Sequence, residues 1–131
     1  MPPRDSNSII AEVCPRAEFV PAANPQTLAE IQCGIFFVMA FWSGPARKAL
    51  AALARVLDAV DPDRRLRLVV GDTDELQDLH ERPPFVDILG GWGETLWIKD
   101  GRVVAHSGHG YNVECFEPNT RNLLAQCAEG Q

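Results

Sequence analysis

The chain has four cysteines, Cys14, Cys33, Cys115 and Cys127, and no two of them stand close in sequence. A CxxC dithiol and a paired zinc-ligand spacing are therefore both absent. No apolar run approaches the ~20 residues of a membrane-spanning helix. The opening residues, Met1 to Ser8, are polar, and no apolar stretch with a small-residue cleavage site follows them, so no signal peptide is read. These absences point to the cytosol. There thiols stay reduced, and the four cysteines are expected to be free rather than joined as two disulfides. Basic residues are also in the minority. Against 18 Asp and Glu stand 12 Lys and Arg, for a net charge of −6. That excludes nucleic acid as a fitting partner, because phosphate binding needs clustered Lys and Arg. It suits a basic protein partner, although acidity also serves solubility alone. There is no internal repeat and no low-complexity segment.

The 131 residues present are enough for one domain with a substantial core. Ile35-Phe36-Phe37-Val38-Met39-Ala40-Phe41 is continuously apolar, which predicts a central strand, from Gly34 to Trp42, buried on both faces. Ser43 and Gly44 break it, and Pro45 suits the first turn of a helix. Leu50, Leu53, Ala54, Leu57 and Val60 recur at helical spacing up to Asp61-Pro62-Asp63. Ahead of the central strand, Ile9–Val13 or Glu18–Pro21 supplies a short first strand. Asn24 and Pro25 open a helix through Leu28 and Ile31 that Gly34 ends. Leu66 to Val70 reads as a further strand, and Thr73 or Asp74 caps a helix running to about His80. Glu94–Lys99 and Arg102–Ser107 flank Asp100-Gly101, a strong type I′ hairpin signal. Pro118-Asn119-Thr120 starts a last helix carrying Leu123, Leu124 and Cys127. The resulting order predicts an α/β fold: a mixed sheet with helices on both faces, a closing β-hairpin and a C-terminal helix.

Two stretches carry a resemblance. Val38-Met39-Ala40-Phe41-Trp42-Ser43-Gly44-Pro45-Ala46-Arg47 is similar to the strand–helix junction of the thioredoxin family, whose Trp-Cys-Gly-Pro-Cys-Lys holds the reactive cysteines. Glu94-Thr95-Leu96-Trp97-Ile98-Lys99-Asp100-Gly101-Arg102-Val103-Val104 resembles that family's Pro-Thr-Leu hairpin. The two lie about as far apart as in the family, and the resemblance covers roughly residues 17–128, leaving 1–16 as a partly disordered extension. It implies a thioredoxin-like fold, and the departures decide what is expected of function. Ser43 stands at the first cysteine position and Ala46 at the second. A thioredoxin needs a thiolate at one and a resolving thiol at the other. Glu94 aligns with the cis-proline, and its preceding bond is expected to be trans, since a non-proline cis bond costs about 2.5–4 kcal/mol. Phe37 aligns near the buried acid that assists proton transfer, and it moves no proton.

The former active-site motif Trp42, Ser43, Gly44, Pro45 and Ala46 is thus expected to be redox-inactive, and no catalytic residue is assigned. Ser43 fits an N-cap better than an activated nucleophile. Gly90-Gly91-Trp92-Gly93-Glu94 is a glycine-rich loop beside that junction. Trp42, Trp92, Gly93 and Glu94 are therefore the candidate partner-binding residues, with Phe85 as a further aromatic. Alternatively, Trp92 tucks into the core and the glycines only make a turn. His106, His109 and Cys115 read as a polar connection rather than a zinc site. Arg64, Arg65, Arg67, Asp72, Asp74, Glu75 and Asp78 read as solvated charges. No metal or cofactor is expected. The expected role is protein–protein binding, as an immunity-type inhibitor or an assembly chaperone. The alternative is an atypical thiol–disulfide protein using cysteines outside any CxxC, with Cys14 and Cys33 able to pair or react.

Overall fold

The apolar run forms strand β2, Cys33–Met39, at the centre of a five-stranded sheet. The structure is a computed structural model. It describes residues 10, 14–20, 22–40, 44–76, 79–81, 85, 93–108 and 112–129. Along the chain come β1 (Glu18–Val20), helix α1 (Pro25–Ala29), β2, helix α2 (Gly44–Val60), β3 (Arg67–Asp72), β4 (Thr95–Lys99), β5 (Arg102–His106) and helix α3 (Phe116–Glu129). The sheet order is β1-β3-β2-β4-β5. Strands β1, β3 and β2 run parallel, while β4 is antiparallel to β2 and to β5.

Because successive strand residues point to opposite faces, β2 serves two cores. Ile35, Phe37 and Met39 pack with Leu50, Leu53 and Leu57 of α2 and Leu123 of α3. Phe36 and Val38 pack with Leu28 of α1, Leu76, Leu79 and Phe85. The expected burial of both strand faces is what the structure shows. Ile10 and Cys14 are also buried in the first core, so the packed unit takes in residues ahead of position 17.

Local chemistry explains the boundaries. Asn24 Oδ1 accepts the Thr27 amide at 3.1 Å and Thr27 Oγ1 accepts the Asn24 amide at 3.2 Å, a reciprocal cap for α1 with Pro25 at its start. The helix stops at Ala29, earlier than predicted, and Gly34 does not end it. Gly34 lies inside β2, where a Cβ would sit 2.5 Å from the Arg67 carbonyl oxygen. The helix predicted from Thr73 is instead two 3₁₀ turns, Thr73–Glu75 and Leu79–Glu81. The cap comes from Asp72, whose carboxylate accepts the Asp74 amide at 2.9 Å. Helix α3 begins two residues before Pro118, which sits in the first turn, where a missing N–H leaves no helical bond unmade. Asp100 and Gly101 both have positive φ, +52° and +78°, as a type I′ turn requires.

The expectation of four free thiols is overturned. Cys33, at the start of β2, is bonded to Cys127, in the last turn of α3, with Cα atoms 6.3 Å apart across 94 positions of sequence. Cys14 is free and buried, so it does not pair with Cys33, and Cys115 is free and half-buried. α3 packs across the β2 face that carries Cys33 and Ile35, bringing together two cysteines that sequence distance keeps apart.

Candidate functional site

Two regions carry the chemistry in question, one where α2 starts and one where β2 starts. At the first, Gly44 and Pro45 open α2 on the surface, and a Cβ on Gly44 would meet only open space. Ala46 is 0% exposed. Gly93 covers it, with φ at +83°, where a Cβ would stand 3.2 Å from Ala46 Cα, 2.9 Å from Phe37 Cζ and 2.7 Å from Ala49 Cβ. Only glycine satisfies both this backbone conformation and this approach.

The residues that follow are fixed by hydrogen bonds. The Glu94 carbonyl accepts the Val38 amide at 2.8 Å, continuing the ladder between β2 and β4. Thr95 Oγ1 donates to the Gly93 carbonyl at 3.1 Å, and the Thr95 amide donates to Ser107 Oγ at 3.0 Å. The Ser107 amide returns a bond to the Thr95 carbonyl at 2.9 Å. Glu94 itself is 0% exposed.

Of the candidate binding residues, Gly93 and Glu94 are thus brought to the α2 start but lie below the surface. Trp42, Ser43 and Trp92 lie outside the described residues. Phe85, proposed as part of an exposed aromatic patch, is instead buried edge-on against Phe36, with ring centroids 6.0 Å apart. Neither Ala46 nor Phe37 carries a group that exchanges electrons or protons.

His106 Nδ1 accepts the Gly108 amide at 3.0 Å, and Cys115 Sγ donates to the Asn112 carbonyl at 3.0 Å. His109 lies outside the described residues. Among the described residues no group of His, Cys, Asp and Glu is arranged to hold a metal ion. Burial pushes both free thiols above their ordinary range; for Cys115 the Glu114 charge adds to the effect. Neither is a reactive thiolate of the kind that low-pKa cysteines provide.

The second region is an open cleft of ≈ 460 Å³ at the opposite end of β2. The Cys33–Cys127 disulfide forms part of its wall, and Glu30, Arg65, Arg67, Lys99 and Asp100 surround it. Residue spacing gave no signal for this site. Arg65 and Arg67 lie together at the start of β3, Lys99 ends β4, and the cysteines come from the start of β2 and the last turn of α3. Arg67 pairs with Glu18 at 2.5 Å, as a solvated charge would. A better-buried pair sits nearby, where Arg16 donates to Asp61 at 2.6 Å and to the Asp61 and Leu66 carbonyls.

No protein-family model and no curated protein sequence matches the chain. Solved structures do match it. Mitochondrial thioredoxin 3 from Saccharomyces cerevisiae is 19% identical, with a TM-score of 0.61 over 87% of this chain and 98% of that one. Fasciola hepatica thioredoxin is 16% identical, with a TM-score of 0.58 over 82% and 97%. Thioredoxin from Trypanosoma brucei brucei is 14% identical, with a TM-score of 0.58 over 76% and 81%. The chain has a thioredoxin-like fold. Among the described residues no helix is long and apolar enough to cross a membrane.

Proposed function

We propose that this chain is a thioredoxin-fold protein that acts by binding another protein and performs no dithiol exchange at the start of α2. The observation that carries this reading is Ala46. At the resolving position there is a methyl group, fully buried beneath Gly93. A CxxC exchange needs a second sulfur there to release the mixed disulfide. The net charge of −6 favours a basic partner through electrostatic complementarity. An immunity-type inhibitor or an assembly chaperone fits a small acidic protein of this kind. Affinity capture at moderate salt tests it, together with a disulfide-reductase assay on a protein substrate. A single stoichiometric partner and no reductase activity support the reading. Turnover that survives Cys33→Ser/Cys127→Ser overturns it.

A second reading is favoured by one observation, the Cys33–Cys127 bond at the wall of an open cleft. In this reading the protein exchanges thiols and disulfides at that bond, away from the family's motif. A cytosolic location goes with a bond that is cycled, because cytosolic reductants keep permanent disulfides rare.

A further inference from the structure

The geometry points to a binding site for a phosphate monoester in a second cleft, where β1 and β3 begin, a site that neither reading above involves. This cleft has a volume of ≈ 250 Å³ and lies between Arg16, Glu18 and the segment from Arg64 to Leu68. Four of its lining residues are arginines and one is a carboxylate. Two of the arginines are neutralised, Arg16 by Asp61 and Arg67 by Glu18. Arg64 and Arg65 are exposed and form no side-chain ion pair among the described residues. Asp58 and Asp63, at and just after the end of α2, are exposed and line no part of the cleft. Glu30 and Asp100 line only the cleft at the start of β2. Two positive charges therefore remain, a local exception in a chain whose net charge is −6.

The backbone that carries these two charges is held in place. The Arg64 amide donates to the Asp61 carbonyl at 3.1 Å, and the Arg65 and Leu66 amides donate to the Asp61 carboxylate at 2.9 and 2.8 Å. Arg64 takes a φ of +56°, which non-glycine residues seldom adopt. The loop is backed by Arg16, whose side chain is 5% exposed. Three of the five N–H donors of its guanidinium go to the Asp61 carboxylate and to the Asp61 and Leu66 carbonyls. Arg16 thus fixes Asp61, and Asp61 fixes the segment that presents Arg64 and Arg65. The charge left over selects the ligand. A phosphate monoester carries about −1.5 to −2 at neutral pH, whereas a carboxylate supplies one charge. Guanidinium groups also match phosphate oxygens through paired hydrogen bonds. The volume limits the rest of the ligand, since pockets for drug-sized molecules run to about 300–1,000 Å³. This cleft takes the phosphate and a small substituent, and anything larger continues into solvent.

The test titrates the isotope-labelled native protein with three probes and follows its amide signals by NMR at fixed ionic strength. The probes are methyl phosphate (a dianion above its second pKa of about 6), dimethyl phosphate (a monoanion) and a short peptide carrying one phosphoserine between glycines. Methyl phosphate is expected to give saturable shifts confined to the starts of β1 and β3. Dimethyl phosphate should bind at least about ten-fold more weakly, the loss that one charge-assisted hydrogen bond accounts for. Arg64→Gln/Arg65→Gln should weaken methyl phosphate by at least about ten-fold as well. That variant keeps the amides that Asp61 holds, and its unliganded spectrum checks the fold. Arg64→Lys/Arg65→Lys keeps the charge without the fork and should fall between the two. Peptide binding tighter than methyl phosphate supports the site with a phosphorylated protein as its source, and weaker binding supports it with a free small ester. Shifts that grow linearly without saturating overturn the site. Equal binding of the monoanion overturns the ligand class. Undiminished binding in the glutamine variant overturns the role of the two arginines, and a lysine variant as tight as the native protein overturns paired hydrogen bonding.

Discussion

Gly93 rests on the first turn of α2, so close to Ala46 that a Cβ at residue 93 would lie 3.2 Å from Ala46 Cα and 2.7 Å from Ala49 Cβ. The loop before β4 and the start of α2 are thus a single packed contact, with backbone on one side and methyl groups on the other. Gly93→Ala introduces a clash and holds a non-glycine residue at φ +83°. Together these are expected to cost about 2–4 kcal/mol, by the usual penalties for overpacking and left-handed backbone. Urea unfolding measures it. A loss below about 0.5 kcal/mol would show that the loop relaxes away from α2.

Asp61 and Arg16 form the best-buried ion pair among the described residues, with side chains 1% and 5% exposed. The Asp61 carboxylate also accepts the amides of Arg65 and Leu66, at 2.9 and 2.8 Å. Asp61→Ala strands the guanidinium and leaves two amides without their acceptor, so a loss of about 3–5 kcal/mol is expected. Arg16→Met, which keeps a long apolar stem, is expected to lose less. Denaturant midpoints of the two variants give the comparison, and an Asp61→Ala effect no larger than that of Arg16→Met would contradict the assignment.

The Cys33–Cys127 bond closes a span of 94 positions. A link of that length restricts the unfolded chain, and its removal typically costs about 2–4 kcal/mol. Cys33→Ser/Cys127→Ser should show that loss at equilibrium and should match the reduced wild-type protein. Equal stability of the oxidised protein and the double variant would mean that the bond adds nothing to the folded state.

Cys14 titrates above its ordinary value because burial disfavours the thiolate, with Arg16 partly opposing that effect. Its folded pKa is therefore higher than its unfolded one. The stabilisation is complete below the unfolded value, near 9.0, and is lost as pH rises through the folded value. Stability should fall with pH above about 9, more steeply than in Cys14→Ala, which has no thiol to ionise. The slope of unfolding free energy against pH checks this, and identical slopes for the two proteins would exclude Cys14 as the source. In the same window Cys14 should react with iodoacetamide far more slowly than an unfolded cysteine.

Local signals along the chain specify the scaffold. The unbroken apolar run of β2, the helical spacing from Leu50 to Leu57, the Asn24–Pro25 start and the Asp100-Gly101 turn are local signals. Each acts through backbone preference or side-chain periodicity, and each appears in the structure. The missing thiols at Ser43 and Ala46 were equally legible, because an absent side chain needs no geometry to be recognised.

Proximity comes from long-range packing. Gly93 and Glu94 read as binding residues because their glycine-rich loop lies beside the Trp42–Pro45 junction, yet Gly93 is packed against α2 and Glu94 is buried in the ladder beside β2. Phe85 read as an exposed aromatic until the core beneath Phe36 claimed it. The Cys33–Cys127 pair was invisible along the chain. No local preference links the first residue of a strand to the last turn of a helix 94 positions later. The packing of α3 across the sheet, driven by apolar burial on the Ile35 face, brings the two sulfurs together, and the pairing of β4 with β2 sets Lys99 beside Cys33.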